Sequence, residues 1–410
     1  MVSDVSAGPK KRTNIYLPLL LVFILANISC DNYIVQVVGK EKQTTEFWLV
    51  VGFTLIQIFG SPIQAGFSDF YCRKKSLVVS LSFSLLALAL IFLYNNVFAS
   101  FALLITILLI KGFMGNTVPL SWAAIADTQE RNFRFSLGLS TSAFALGYLT
   151  LIVVNKFLNN FHTSLILIGF FILLVYCCVF YFYDIRDKSD IKNEHLKHAE
   201  AIKYTGLNRD VRMIICEIKM LIEELKHLRT RMALAAFFLW EISLYSVHML
   251  DVDLRIQQFS NLTAAMVVGY LCGVVVLKFC DKVPDGKMIK FGYNAAIISL
   301  IPFFALYFFV DDSKFLIMPC YFFYNFWSAF LAPSLFATLS KERKPHEQGK
   351  IYGLIDSTDS IAFLLASIVA MVYNFLELQS ICIVGFSFIA FVLSWWPYGK
   401  FEKTRQLLQE

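Results

Sequence analysis

The chain has 410 residues, of which 58% are hydrophobic and only 16% charged, with a mean hydropathy of +0.63. Soluble domains carry about 25% charged residues, so this composition excludes a soluble globular protein and points to helices packed inside a bilayer. The formal charge of +6 resides in basic loop residues that set topology, and gives no ground for nucleic-acid binding.

In chain order, the first twelve residues are polar and end in Lys10, Lys11 and Arg12. The apolar run that follows lacks a small-residue cleavage site and reads as an uncleaved first span. Six spans are predicted near 14–36, 46–67, 76–95, 98–125, 134–156 and 163–184, and six more near 232–252, 261–279, 289–310, 315–338, 350–373 and 379–397. The expected organisation is therefore a bundle over 1–184, a polar connector over 185–231 and a second bundle over 232–410. Within the connector, Val211, Ile214, Ile215, Ile218, Leu221, Ile222 and Leu225 recur at helical spacing. They predict an amphipathic helix that lies on the membrane surface or simply joins the halves.

Basic residues are one-sided. With both termini cytoplasmic, thirty lysines and arginines fall in inner segments and five in outer ones, with Lys111 inside a span. That asymmetry supports an even number of crossings. The halves also echo each other at an offset of 212–215: Pro119, Ala123, Ala124 and Ile125 align with Pro333, Ala337, Thr338 and Leu339, Gly138 with Gly353, and Asp69 with Asp281. An internal repeat of this length implies duplicated bundles.

The stretch SPIQAGFSDFYCRKKS, Ser61 to Ser76, sets Asp69, Arg73 and Lys74 in a short charged hinge between spans 2 and 3. It resembles the signature loop of the major facilitator superfamily, with Ala65 at the first glycine of that pattern and Phe70 and Cys72 replacing an arginine and the second glycine. ADTQERNFRFSLGL resembles the loop between helices 4 and 5 of that family, and HEQGKIYGLIDSTDS the entry to helix 11 of its drug-efflux-like members. Gly138 and Gly147 in span 5 resemble the opening of a glycine-rich antiporter motif whose later pairs are missing; they also suit plain close packing. The resemblance implies an all-α membrane protein of twelve transmembrane helices, arranged as two parallel six-helix repeats about a pseudo-two-fold axis along the membrane normal. It implies a conformational gate at Asp69, Arg73 and Lys74, and at Asp127, Arg131 and Arg134.

Charged groups within hydrocarbon are costly and mark function. Lys111 in span 4, Glu241 in span 7, Asp31 beside Asn27 and Asn32 in span 1, and Asp356 and Asp359 in span 11 stand out. In the resembled family, helices 1, 4, 7 and 10 line the central cavity, which places Glu241 and Lys111 together. Glu241 is the first choice for a coupling proton, or else a partner neutralising Lys111. Lys111 could alternatively attract an anionic part of a substrate, and its repeat counterpart is Asn325. Asp31 either binds substrate or proton or is solvated at the outer mouth; Asp356 and Asp359 carry the same ambiguity at the inner mouth. Trp240, Tyr245, His248, Tyr324 and Trp327 could form an aromatic cavity wall.

No nucleotide-binding loop, catalytic triad, paired-carboxylate site or metal-ligand spacing stands out, so neither enzyme nor cofactor is expected. The reading is a secondary transporter working by alternating access, for which a monomer suffices. Its expected partners are a small-molecule substrate, protons and the lipid bilayer. Proton-coupled uptake of a polar or charged solute leads, drug-like efflux is the alternative, and a non-transporting sensor is the third. The location expected is a bacterial inner membrane.

Overall fold

The computed structural model describes residues 13–39, 43–70, 72–97, 100–128, 132–157, 160–182, 227–253, 259–309, 314–341, 347–372 and 383–392. Thirteen helices lie in these segments: α1 (Thr13–Gly39), α2 (Gln43–Phe70), α3 (Arg73–Asn96), α4 (Phe101–Met114), α5 (Val118–Thr128), α6 (Phe133–Phe157), α7 (Asn160–Tyr181), α8 (Leu228–Asp253), α9 (Phe259–Phe279), α10 (Asp285–Phe309), α11 (Lys314–Lys341), α12 (Gln348–Val372) and α13 (Ile383–Val392). Because α4 and α5 together make one crossing, the thirteen helices correspond to the twelve predicted spans. The expected amphipathic connector helix and Arg131 lie outside the described residues.

Polarity is distributed as a bilayer requires. Leu86, Leu109, Ile166, Leu173, Phe180, Val275, Ile301 and Phe388 are exposed on the flanks, where lipid tails rather than water would meet them. Asn27, Gln64, Arg73, Lys111, Asn116, Glu241 and Asp356 are buried. Within each end of the chain, α3 packs on α4 and α7, and α11 on α9 and α10. The contacts that join the early helices to the late ones are chiefly α2 with α12, α6 with α9, and α5 with α12.

Small residues set how closely these helices approach. A Cβ added at Gly147 would stand 2.8 Å from the Ile28 side chain, and one at Gly138 3.1 Å from Val274. The glycines of span 5 thus seat α6 against α1 and α9, which is the plain-packing alternative for them.

Span 4 departs from the continuous helix predicted over 98–125. It stops at Met114, runs irregularly through Gly115, Asn116 and Thr117, and restarts at Val118. Gly at the stop and Pro119 in the first turn of the restart are the local cause, since proline fits where its missing N–H has no helical partner.

Candidate functional site

Between the early and late helices lies a cavity of about 160 Å³, whose polar lining includes Asp31, Gln57, Asn116, Tyr245, Asp356 and Asp359. Phe53, Phe144 and Phe363 form the apolar part of its wall. Four helices and the break in span 4 therefore supply its polar groups.

Lys111 is entirely buried and faces α1. Its Nζ lies 2.7 Å from Asp31 Oδ1 and donates to Asn27 Oδ1 at 2.9 Å and to the Gly115 carbonyl at 2.8 Å. Asn27 Nδ2 in turn donates to Asp31 Oδ2 at 2.9 Å. Two of the ammonium's three N–H donors thus go to Asn27 and Gly115, and its charge is paired with Asp31. This corrects two expectations: the ion-pair partner of Lys111 is Asp31, not Glu241, and the ammonium is fully buried away from the cavity lining, where a substrate anion would sit. The physical reason is local, because Asn27 and Asp31 share a face of α1 at i, i+4 spacing and meet the last turn of α4.

Asp356 is buried on α12, and its Oδ2 accepts from Asn116 Nδ2 at 2.7 Å. Asn116 Nδ2 also reaches Ser61 Oγ at 2.9 Å. Asp359 Oδ1 accepts from Tyr245 Oη at 2.9 Å. The two aspartates thus stand in the cavity wall with Asp31 and not at a solvated inner mouth. Glu241 is buried one helical turn before Tyr245, within electrostatic reach of Asp359, Tyr270 and Tyr324. It lies behind the wall rather than in it. Among the described residues, none of Asp356, Asp359 and Glu241 has a direct ion pair.

Other sequence candidates fall elsewhere. Asn325 is buried on α11 and donates to its own Tyr321 carbonyl at 2.9 Å, away from the cavity lining. Of the five aromatics, Tyr245 reaches the cavity. Trp240 packs against Tyr293 and Tyr324 with ring centroids 5.4 and 5.5 Å away, and Trp327 against Phe291 and Phe326 at 5.4 and 4.6 Å. The side chain of His248 lies outside the described residues. Asn116 was missed by the sequence reading, although GNTVP, Gly115 to Pro119, carries the helix-breaking signal that would have found it.

The signature-loop residues form a buried lock at one end of the bundle. Arg73 Nη2 donates to Asp69 Oδ1 at 2.6 Å and its Nε to Asp127 Oδ2 at 2.8 Å, with both arginine and aspartate side chains almost wholly enclosed. Arg73 also bonds Ser68. Asp69 then crosses to α12, accepting from the backbone N–H of Gly349 at 2.8 Å and of Lys350 at 2.9 Å. First-turn amides have no helical acceptor and carry the positive end of the helix dipole, so a carboxylate there is doubly favoured. Lys74 Nζ donates to the Val179 carbonyl near the end of α7 at 2.5 Å, a contact within the early helices.

A second crossing lies at the same end. Arg134 Nη2 is 2.6 Å from Asp285 Oδ1 and donates to the Val283 carbonyl at 2.7 Å; Lys341 Nζ donates to Asp285 Oδ2 at 2.6 Å. Asp285 is thus the late-half acid that makes this crossing, while Asp281 in the turn before it is exposed.

A polytopic helical protein with a cavity of mixed polar and apolar lining between two sets of helices, and ionic crossings at one end, has the build of a membrane carrier. The sequence profile described as Major Facilitator Superfamily matches residues 21–367, and the chain belongs to that family. It is accordingly a multi-pass carrier of small molecules of the secondary-active type, with the family's twelve-helix all-α fold, and not an enzyme. Among solved structures it is similar to the human organic anion transporter MFSD10 (TETRAN), with a TM-score of 0.68, 14% identity, and coverage of 94% of this chain and 99% of that one. It is also similar to FucP in the outward conformation, with a TM-score of 0.65, 13% identity and the same coverages. No curated protein sequence matches it.

Proposed function

We propose that this carrier moves a small solute bearing a positively charged group, in exchange or in company with protons, through a central site that alternates between the two faces of the membrane. The observation that carries this reading is the charge balance of the interior. Lys111 is held by Asp31, Asn27 and Gly115, whereas Asp356 and Asp359 have only neutral partners and Glu241 stands beside them. Carboxylates taken out of water are stable only if paired or protonated. A proton or a solute cation would each meet that need, and competition between them for the same acids would couple their movements.

Glu241 and Asp359 are the proposed proton pair, Asp356 and Asp359 the proposed contacts for the solute cation, and the Lys111–Asp31 pair a fixed part of the wall. The proposed division is two six-helix bundles, 1–184 and 232–410, related by a pseudo-two-fold axis and joined by 185–231. The Asp69 lock and the Arg134 crossing support a reading in which the present conformation is closed on the cytoplasmic side. An inner membrane with both termini cytoplasmic, uptake as the direction and a monomeric unit complete the proposal. Phe53, Phe144 and Phe363 in the wall favour a second reading, proton-driven efflux of an amphipathic cation.

The test is purified protein in sealed vesicles holding a pH-sensitive dye, under inward and outward proton gradients. Amino acids, simple amines, guanidinium compounds, quaternary ammonium dyes and organic acids are screened, with Glu241→Gln in parallel. Proton movement with a cationic or zwitterionic solute in the same direction, lost in Glu241→Gln, is expected. Opposite directions would move the assignment to efflux. Transport confined to organic acids would overturn the cation reading, and binding without movement would leave a sensor.

A further inference from the structure

The break in span 4 leaves backbone groups without helical partners, and side chains from the cavity and its neighbouring helices hold them. The Met114 carbonyl accepts from Gln64 Nε2 at 2.6 Å, and the Gly115 carbonyl from Ser84 Oγ at 2.7 Å and from Lys111. The Thr117 N–H donates to Asn27 Oδ1 at 3.1 Å, and the Val118 N–H to Asn116 Oδ1 at 3.1 Å. Asn116 therefore caps the restarting helix with one atom and binds Asp356 with another.

Below the break, α5 is a short piece of eleven residues, about 16 Å long at 1.5 Å per residue. Residues Val118 to Ile125 are all buried, so it is confined to moving as one body. Its lower end carries Asp127, which holds Arg73 and through it Asp69. α12 runs beside it, with Asp356 opposite the break and Gly349 and Lys350 on the lock. The two helices are tied together at both ends, once in the cavity and once at the gate.

We propose that the Gly115–Thr117 interruption is a joint and α5 a rod, through which any change at Asp356 in the cavity is passed to the Asp127–Arg73–Asp69 lock. A group that takes Asp356 away from Asn116 frees the cap of α5. The rod then shifts, Asp127 leaves its place on Arg73, and Asp69 loses the geometry that holds the first turn of α12. An unbroken span 4 would be held by its own backbone bonds along its whole length and would lack this play. The device goes beyond the transport reading, since it requires neither the solute's identity nor its direction.

The test is hydrogen–deuterium exchange of the full chain in lipid nanodiscs, read at the Gly349 and Lys350 amides that Asp69 binds. Asn116→Ala is expected to speed their exchange roughly tenfold, the equivalent of one charge-assisted hydrogen bond, while peptides of α10 and α11 stay protected. If Asn116→Ala unfolds those helices as well, Asn116→Ser is read instead. The route is tested by softening the rod: in an Ala123→Gly, Ala124→Gly background the same substitution should lose most of its effect on the lock. Unchanged exchange at Gly349 and Lys350 in the Asn116 variant, with Asp69→Asn raising it, would overturn the proposal. An equal effect in the stiff and softened backgrounds would also overturn it, since the signal would then run along α12 itself.

Discussion

Gly353→Ala should open the end of the bundle that Asp69 closes. A Cβ at this position would stand 2.6 Å from Pro62 Cα, 3.1 Å from the Ser61 carbonyl oxygen and 3.2 Å from Ala65 Cβ, against ordinary contacts of 3.4–4 Å. The nearest obstacle is backbone, which has no rotamer to change, so α2 and α12 must separate to admit a methyl group. Overpacking of this kind costs about 1–3 kcal/mol. Because the seam joins early helices to late ones, the cost falls on the closed conformation and is relieved by opening. The closed-to-open ratio should drop by roughly 5- to 150-fold. Spin labels at the exposed positions 75 and 287, in a cysteine-free background, would report this as a longer component in the distance distribution. An unchanged distribution in a variant that melts like its parent would refute the steric argument. Gly169→Ala, with no atom within 4 Å of the new Cβ, is the control and should leave distances alone.

Arg73→Lys should lower the melting temperature in detergent, since one ammonium cannot reach both aspartates as the guanidinium fork does; breaking a buried pair costs about 3–5 kcal/mol, and an unchanged melt would argue against the lock. Lys111→Met should destabilise by a similar order of about 3–5 kcal/mol, and adding Asp31→Asn should restore much of the loss; a double variant no better than the single one would deny their pairing. Lys341→Ala, at a side chain 54% exposed, should cost under about 1 kcal/mol. Arg134→Ala should cost more, because it removes a mostly buried charge partner of Asp285 and the donor to the Val283 carbonyl; equal melting shifts would contradict that ranking.

The crossings and the lock were legible in the sequence for different reasons. Hydrophobic run length dictated the helices, because a backbone in lipid has no alternative. Asp69 and Arg73 were found through a degraded motif, and their fourfold spacing already placed them within reach. Lys111, Asp31, Asn27, Asp356 and Asp359 were picked out by the cost of burying polarity, but that cost names the residue and not its partner. Pairing Lys111 with Glu241 followed which helices line a cavity, whereas the observed pair depends on how the last turn of α4 is rotated toward Asn27 and Asp31. Neutral polar groups were harder: Asn116 carries no charge to flag it, and its role follows from a break whose Gly and Pro signals were passed over in a strongly apolar run. Asn325 shows the opposite error, a polar residue satisfied by its own helix.

The seam between α2 and α12 also limits the kind of motion this protein can make. Gly349 and Gly353 are four apart and face Ala65, Pro62 and Ser61, and Ser357, four further on, donates to the Ile58 carbonyl at 2.8 Å. A strip this tight has no slack for twisting: turning α12 about its axis would drive Lys350 or Tyr352 into the backbone of α2. Sliding along the axis would bring side chains into notches shaped for hydrogen atoms. The first displacement open to α12 is therefore directly away from α2, like a lid lifted before it can be turned.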